Sequence, residues 1–422
     1  MKYYKKVLPS GLRVIVLPMK DSPTVTVLTM VETGSEYEKR EESGMSHFLE
    51  HMCFKGTKNR PKSIDISLEL DKIGAANNAF TNYEWTGYYA KANSKHVGKL
   101  IDVISDMYLN PTFPAAELEK EKGVIIEEMN MYEDLPQRKV QMVFSSLLYG
   151  DQPAGWPILG NRRVIKNATR EKFVSYRNAH YVAHSSMVVI AGGVEQGRAF
   201  NLVKKTFKDI KDGKKRNKRP VQVSQKSPRL KIADKETDQT HLVLGFKTFK
   251  ATDKRSTTLH VLDAILGSGM SSRLFQRLRE EMGVCYYAKS SVNEFTDHGD
   301  FIIFSGVDSR RIVEVVTVLV DEVKKLKDVE VPKAELEKAK ESYIGGLFMG
   351  VESSDEVSFF AAEQEILGRK FKTPKQIEAE IRKVTAKDVQ KLARQIFTDE
   401  NLNLAIVGSI PDKKKIQSVL HF

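Results

Sequence analysis

The sequence predicts an α+β protein made of two homologous α/β sandwich domains, each a mixed sheet with helices packed on one face, that enclose a chamber. Three observations predict this fold. The two halves of the 422-residue chain repeat one another, and each half combines short alternating segments with long amphipathic ones. A strongly basic segment also lies near the midpoint, where two domains would be joined.

The internal repeat consists of four pairs of segments in the same order in both halves. The first pair shares a Gly-Met-Ser turn, and the second a charged helix that begins at proline. The third pair shares a helix opened by threonine, and the fourth an apolar strand that reaches a glycine. The pairs are 44–47 with 269–272, 114–122 with 332–340, 169–173 with 385–389, and 187–194 with 403–410. Four matches in one order indicate a duplication.

The local patterns predict the elements of each half. In the first half, residues 12–17 and 24–29 have the alternation of β-strands, and we expect them to be adjacent in the sheet. Residues 94–109 and 114–132 have apolar side chains at intervals of three and four, which predicts two long helices. Strands that are separated from helices in this way favour a sandwich.

The basic segment marks the predicted boundary between the domains. Residues 204–219 contain nine Lys or Arg against two Asp, so they carry much of the net charge of +12. We interpret 208–222 as a solvated basic linker between a first domain, 1–207, and a second domain, 223–422. A nucleic-acid binder is the alternative interpretation, but no helix-turn-helix, zinc finger or aromatic–basic RNA motif accompanies the charge, so we expect no nucleic-acid partner.

Composition excludes several other classes of protein. The chain is 41% hydrophobic and 29% charged, as globular proteins are. It has no run of eighteen apolar residues and no apolar segment after its basic N-terminus, so we expect no membrane span and a cytoplasmic location. The only cysteines, Cys53 and Cys285, lie far apart, which argues against a disulfide framework and leaves histidine and carboxylate as ligands for any metal.

The motif His-Phe-Leu-Glu-His at residues 47–51 predicts a metal site. On a helix, His47 and His51 project from one face, one turn apart, and Glu50 lies beside that face. Two neutral imidazoles bind zinc, and a nearby carboxylate that is not a ligand polarises the bound water. The alternative is a pair of hydrogen-bonded histidines on a partly buried helix.

The helix after Pro114 offers a third ligand. Its residues 118, 121, 125, 128 and 132 form one stripe, in which Glu121 and Glu128 occupy positions where an apolar residue is expected. Burying an unpaired carboxylate costs several kcal/mol, which a metal ion or its ligands would offset. A solvated helix rich in Lys–Glu pairs is the alternative, and spacing alone leaves Glu127 as a possible ligand beside Glu128.

The second half tests these interpretations, because its scaffold pattern persists without the reactive residues. The positions that correspond to His47, Glu50, His51, Glu121 and Glu128 are, in that order, Ser272, Phe275, Gln276, Ala339 and Gly346. Structural residues have no reason to be lost as a set. The joint loss therefore favours a single functional site in the first half.

The inverted motif, followed by the segment from Glu121 to Glu128, resembles the pitrilysin/insulinase family of zinc peptidases. The resemblance extends over nearly the whole chain, and the length is most like the bacterial and mitochondrial processing peptidase branch. It implies that His47, His51 and Glu128 bind one Zn²⁺ per chain, that Glu50 is the general base, and that Glu121 supports catalysis. It also implies a catalytic first domain and an inactive second domain that holds substrate.

Two substrate-binding elements follow from the same resemblance. Asn78, Ala79 and Phe80 resemble the edge strand to which an extended peptide adds as a further strand. In the second half, Arg279 is expected to hold substrate, and Tyr286 to bind substrate and stabilise the oxyanion. The alternatives are an Arg279 paired with a carboxylate and a Tyr286 in the core.

The expected function is that of a zinc-dependent metalloendopeptidase that hydrolyses short or unfolded peptides inside a closing chamber. The resemblance to the processing branch also leads us to expect a homodimer or a heterodimer with a related subunit. The alternative is a non-catalytic subunit that binds peptides or scaffolds a processing peptidase complex. Such relatives lack parts of the metal motif, and this chain keeps every part.

Overall fold

The computed structural model describes residues 1–410 and 412–422. The strands are β1 (Tyr4–Val7), β2 (Arg13–Pro18), β3 (Thr24–Val31), β4 (Ala76–Thr81), β5 (Thr86–Asn93), β6 (Ser186–Gly192), β7 (Arg229–Ala233), β8 (Thr240–Lys247), β9 (Cys285–Glu294), β10 (Gly299–Val307) and β11 (Leu402–Val407). The helices are α1 (Met45–Met52), α2 (Ser63–Asp71), α3 (Val97–Leu109), α4 (Ala115–Asp134), α5 (Pro136–Tyr149), α6 (Arg162–Lys166), α7 (Arg170–His180), α8 (Gln196–Thr206), α9 (Ser256–Leu266), α10 (Ile312–Asp328), α11 (Lys333–Met349), α12 (Ser354–Ile366), α13 (Pro374–Lys383), α14 (Ala386–Ile396) and α15 (Lys413–Val419). None of the helices in these two ranges is long and apolar enough to cross a membrane.

The chain forms two compact units that are interleaved along the sequence. Unit 1 comprises Met1–Met129, Trp156–Arg219 and Gly350–Ile366, and unit 2 comprises the remaining described residues. Each unit therefore includes one helix from the other half of the sequence: α12 belongs to unit 1, and α5 belongs to unit 2. The predicted domain boundaries at 207 and 223 divide the chain by its sequence repeat and not by these units, and they stay a prediction.

The sheet of unit 1 has six strands in the order β1-β2-β6-β3-β5-β4. The predicted strands at 12–17 and 24–29 correspond to β2 and β3, but the prediction that they are adjacent is wrong. β6 lies between them, parallel to β2 and antiparallel to β3. All seven residues of β6 are buried, so this strand gains most from a central position that is covered on both faces.

Neighbouring residues of β5 show which helix covers which face of this sheet. Tyr88 contacts Tyr108 of α3 with ring centroids 6.1 Å apart, whereas Tyr89 contacts Phe359 of α12 at 5.1 Å. Successive side chains on a strand point to opposite faces, so α3 and α12 cover opposite faces of the sheet. Helices of the first half therefore cover one face, and a helix of the second half covers the other.

Unit 2 repeats this architecture with a five-stranded sheet in the order β7-β11-β8-β10-β9. As in unit 1, one pair of strands is parallel, β7 with β11, and the others are antiparallel. Val243 packs against Val140 and Phe144 of α5, whereas Leu242 and Leu244 belong to the core formed with α9, α10 and α14. The two homologous α+β sandwiches predicted from the repeat are thus present.

The linker segment contains no helix or strand from residue 208 to residue 222, and most of its side chains are exposed. The segment is less solvated than expected. The side chain of Lys218 is only 7% exposed and pairs with Glu36 at 2.5 Å and with Glu84 at 2.9 Å. Lys215 also pairs with Glu32. Two linker lysines therefore neutralise buried carboxylates of unit 1, because an ionised carboxylate in the interior is unfavourable without a partner of opposite charge.

Candidate metal centre

The N-terminus of α1 is fixed by a glycine and by a buried carboxylate. Gly44 precedes the helix with a φ of 94°, and a Cβ there would lie 2.6 Å from the carbonyl oxygen of Leu159. The backbone N–H groups of Gly44 and Ser46 donate to the carboxylate of Glu38, each at 2.7 Å. Burial raises the pKa of Glu38 to about 8, although these two bonds act in the opposite direction. The first N–H groups of the helix are thus satisfied by one side chain.

The apolar face of α1 fixes the rotation of the helix. Phe48 packs edge-on against Phe173 of α7 with ring centroids 4.7 Å apart, and Leu49 and Met52 are fully buried. Because these residues face the core, the remaining face presents His47 and His51 toward α4. The motif therefore projects its two imidazoles to one side, as its spacing predicts.

Three donor atoms converge between α1 and α4. His47 Nε2 lies 3.2 Å from His51 Nε2, and Glu128 Oε2 lies 3.5 Å and 3.8 Å from these two atoms. Ligand atoms about 2.0–2.1 Å from a tetrahedral zinc ion lie roughly 3.3–3.4 Å from one another. The triangle therefore has the size of one face of a zinc tetrahedron. The exposed Glu127 is not part of this triangle, so the geometry favours Glu128 over Glu127, and the choice of ligand stays a prediction.

The protonation of the histidines also fits a metal ion. Burial, with a smaller effect of His51, lowers the pKa of His47 to about 3, so this ring is neutral at pH 7. His51 Nδ1 lies 2.8 Å from Glu121 Oε1, and an ionised carboxylate only accepts, so Nδ1 carries a proton and the neutral form of the ring has its lone pair on Nε2. Two imidazole nitrogens facing each other at 3.2 Å need a shared proton or a cation between them. The residues present thus fit a bound cation.

Each carboxylate oxygen of Glu121 accepts a hydrogen bond from a different residue. Its second oxygen, Oε2, lies 2.7 Å from Lys55 Nζ. Burial acts to raise the pKa of Glu121, but the hydrogen bonds from His51 and Lys55 outweigh it and leave the pKa below its usual value. The carboxylate is therefore ionised and orients the ring of His51. Lys55 was not predicted, because nothing in the local pattern distinguishes it from a surface lysine.

Glu50 lies beside the triangle and accepts a hydrogen bond from a residue of another element. Thr81, the last residue of β4, donates its hydroxyl to Glu50 Oε2 at 2.5 Å. Burial raises the pKa of Glu50, and the bond from Thr81 and the charge of His51 act against this rise. A carboxylate with a raised pKa next to a metal site is suited to take up and release a proton. The sequence analysis assigned no role to Thr81.

The candidate peptide-binding segment lies at the edge of the sheet of unit 1. Among the residues that the structure describes, β4 pairs with β5 alone and is the last strand in the sheet order, so its other edge is free to receive a further strand. Asn78 is exposed, and Phe80 packs over Gly87 of β5 and 5.5 Å from the ring of Phe359. An extended peptide could add to this edge by backbone hydrogen bonds.

The candidate residues of the second half lie in unit 2 and contact each other. Arg279, in the π-helix Phe275–Glu281, donates to the carbonyl oxygen of Cys285 at 3.2 Å, and its guanidinium lies 4.9 Å from the ring centroid of Tyr286. The side chain of Tyr286 is 75% exposed, which excludes the core position considered as its alternative. The structure thus leaves the phenol accessible, as contact with a substrate requires.

Comparisons with known proteins also distinguish the two halves of the sequence. The family model described as insulinase (peptidase family M16) matches residues 13–162, and the peptidase M16 inactive domain matches residues 167–343. Uncharacterized zinc protease YmxG of Bacillus subtilis is 34% identical over 95% of this chain and 98% of its own length. An uncharacterized zinc protease of Rickettsia felis is 33% identical over 95% and 96%.

Solved structures share the fold over almost their whole length. A protease from Helicobacter pylori has a TM-score of 0.89 at 22% identity and covers 97% of this chain and 99% of that chain. A peptidase M16 inactive domain structure from Pseudomonas fluorescens has a TM-score of 0.90 at 16% identity, with coverage of 98% and 100%. The family model and the relatives named zinc proteases place the chain in the metalloprotease class. The chain belongs to the insulinase family, peptidase family M16; its assignment to the processing branch stays a prediction.

Proposed function

We propose that this chain is a zinc-dependent endopeptidase that hydrolyses short or unfolded peptides and binds one Zn²⁺ through His47, His51 and Glu128. The observation that carries the proposal is the triangle of three donor atoms with sides of 3.2, 3.5 and 3.8 Å. Its size suits a tetrahedral metal, and Glu50 lies beside it. Relatives about a third identical to this chain are named zinc proteases.

The chain's own residues have separate roles in the proposed hydrolysis. When bound, zinc supplies Lewis-acid polarisation of a water molecule and of the scissile carbonyl. Glu50 takes the proton of the attacking water and returns it to the leaving amine as the C–N bond breaks. Glu121 holds His51 in the tautomer and orientation that binding requires.

Substrate recognition is proposed for both halves of the sequence. A peptide pairs with the free edge of β4 at Asn78, Ala79 and Phe80, and backbone pairing makes its sequence preference loose. Arg279 holds the substrate and Tyr286 donates to the oxyanion, as the family resemblance implies. The two homologous domains, 1–207 and 223–422, enclose the substrate in a chamber, which restricts it by size. A second copy or a related subunit completes a dimer in the cytoplasm.

The test combines metal analysis with cleavage of a mixed peptide library by the purified chain. We expect about one zinc per chain and cleavage that a chelator abolishes and zinc restores. Glu50→Gln should keep its zinc and lose at least about 100-fold in kcat, because the proton acceptor is gone. The exposed Glu41, four residues before Met45, provides the matched control: Glu41→Gln should cleave like the unmodified chain.

Two outcomes would refute the proposal. Cleavage that survives complete removal of metal would contradict the metal-dependent mechanism, and a fully active Glu50→Gln would contradict the role of Glu50. A chain that binds zinc and peptides but cleaves none would instead be the non-catalytic subunit. Measuring its mass in solution then shows whether a partner is missing.

A further inference from the structure

We propose that Thr81 is a positioning residue for Glu50, through which the peptide-binding strand orients the general base; this rests on the proposed function. Its hydroxyl donates to Glu50 Oε2 at 2.5 Å. The hydrogen bond engages one carboxylate oxygen and leaves the proton transfer to the other, Oε1. The bond thereby selects one rotamer of a long, flexible side chain.

The register of β4 explains why this residue reaches α1. Ala79 pairs with Tyr88 of β5, and Phe80 pairs with Gly87. Cross-strand partners share a face, and Tyr88 lies on the face where Phe54, just after α1, contacts it at 6.4 Å. Thr81 is two residues after Ala79, so it points to that same face, whereas Phe80 points to α12. If the pairing of β4 with β5 shifted by one residue, Thr81 and Phe80 would each point to the opposite face of the sheet.

Position along the strand connects this contact with substrate binding. Thr81 is the last residue of β4, directly after the segment proposed to pair with a peptide. An edge strand becomes more ordered when a further strand adds to it, because its unpaired backbone groups then gain partners. Peptide addition therefore orders the strand that carries the hydroxyl, and with it the carboxylate of Glu50. Water attack is thus favoured when a peptide is in place.

The experiment compares three variants in the zinc-loaded full chain. Thr81→Val keeps nearly the same shape and removes the hydroxyl, and Thr81→Ser keeps the hydroxyl. Thr86→Val is the matched control, because Thr86 pairs with Thr81 on β5 but donates to the carbonyl oxygen of Thr33. We measure zinc content, thermal midpoint, kcat and KM, and we determine crystal structures of the unmodified chain and of Thr81→Val.

The expected result is a selective loss of turnover. Thr81→Val should lower kcat by about 10- to 100-fold, as residues that orient reactive groups do, with zinc content unchanged. KM should stay within about twofold, because the interaction acts on the base and not on uniform substrate binding. Thr81→Ser should recover most of the kcat, and Thr86→Val should keep the normal kcat even if it unfolds at lower temperature. In the Thr81→Val crystal, Glu50 should leave its original position.

Several results would overturn the inference. These are an unchanged kcat in Thr81→Val, a change confined to KM, or a Thr81→Ser variant as impaired as Thr81→Val. An unmoved Glu50 in the Thr81→Val crystal would overturn it as well. If the unmodified chain binds zinc but cleaves no peptide, the proposed function fails, and the position of Glu50 in the two crystals still decides whether Thr81 positions it.

Discussion

Glu121→Gln is the sharpest test of how the metal site is supported. The substitution keeps the size of the side chain and removes its charge. Glu121 is 5% exposed and accepts from His51 Nδ1 at 2.8 Å and from Lys55 Nζ at 2.7 Å. An amide cannot serve both donors as an anion does, so the His51 ring loses orientation and the charge of Lys55 remains unpaired beside a divalent ion.

The expected loss of zinc affinity follows from the role of Glu121 as the partner of His51. Removing a carboxylate that orients a metal-binding histidine costs about 10- to 100-fold in metal affinity, which is about 1.4–2.7 kcal/mol. We expect the upper part of that range, because the positive charge of Lys55 is left without its anion and disfavours the cation. His47, which has no bond to Glu121, should still bind, so affinity falls without being abolished.

The assay is a competition titration of zinc against a fluorescent chelating indicator at pH 7. Glu119→Gln is the matched control, because Glu119 lies on the same helix, is 68% exposed and pairs across the surface with Lys122 at 2.7 Å. It should bind zinc like the unmodified chain. A Glu121→Gln variant with unchanged zinc affinity would refute the reasoning that this carboxylate orients His51.

Two further predictions concern acid stability and the edge strand. Burial acts to raise the pKa of Glu294, but its partners His260 and Arg369 outweigh it and lower the value from 4.5 to about 2. Because this pKa is lower in the folded state than in the unfolded state, ionised Glu294 stabilises the fold at pH values above the unfolded-state pKa. The free energy of unfolding should therefore decrease by about 3 kcal/mol as the pH falls from about 5 toward 2. In Glu294→Gln, the urea midpoint of unfolding should change less with pH over this range. An equally steep pH dependence in the variant would contradict this assignment. Gly87→Ala places a Cβ 2.4 Å from the Phe80 ring, so it should destabilise unit 1 by about 1–3 kcal/mol and raise KM. Gly98→Ala on α3 is its control, since a Cβ there meets nothing within 4 Å, and equal thermal midpoints for the two variants would argue against the clash.

Local periodicity predicted the long helices well, because each depends on neighbours in sequence. Residues 114–132 were expected to be helical, and α4 extends over Ala115–Asp134. Residues 94–109 end where α3 ends, although Ser94–His96 is a 3-10 turn. The placement of His47 and His51 on one face followed from the same rule, since residues four apart on a helix are neighbours.

Contacts between distant segments could not be predicted in the same way. Nothing in the sequence of β6 states that it separates β2 from β3, because pairing partners depend on the burial of the whole sheet. Phe359 gives no local sign that it packs against Tyr89, more than 250 residues earlier. The partner of Glu50 was missed for a finer reason: the face on which Thr81 lies depends on strand register, which changes with a slip of one residue.

The second copy explains why the loss of reactive residues is complete there. Ala339, which corresponds to Glu121, is 1% exposed in the apolar core of unit 2, next in the stripe to the buried Leu336. A glutamate at that position would lack the histidine and lysine that keep Glu121 ionised, so it would be buried without a partner at a cost of several kcal/mol. Once the histidines are replaced, the same helix position therefore favours a small apolar residue. Absence of the two histidines therefore removes the reason for a carboxylate at this helix position, which links the replacement of Glu121 physically to that of His47 and His51.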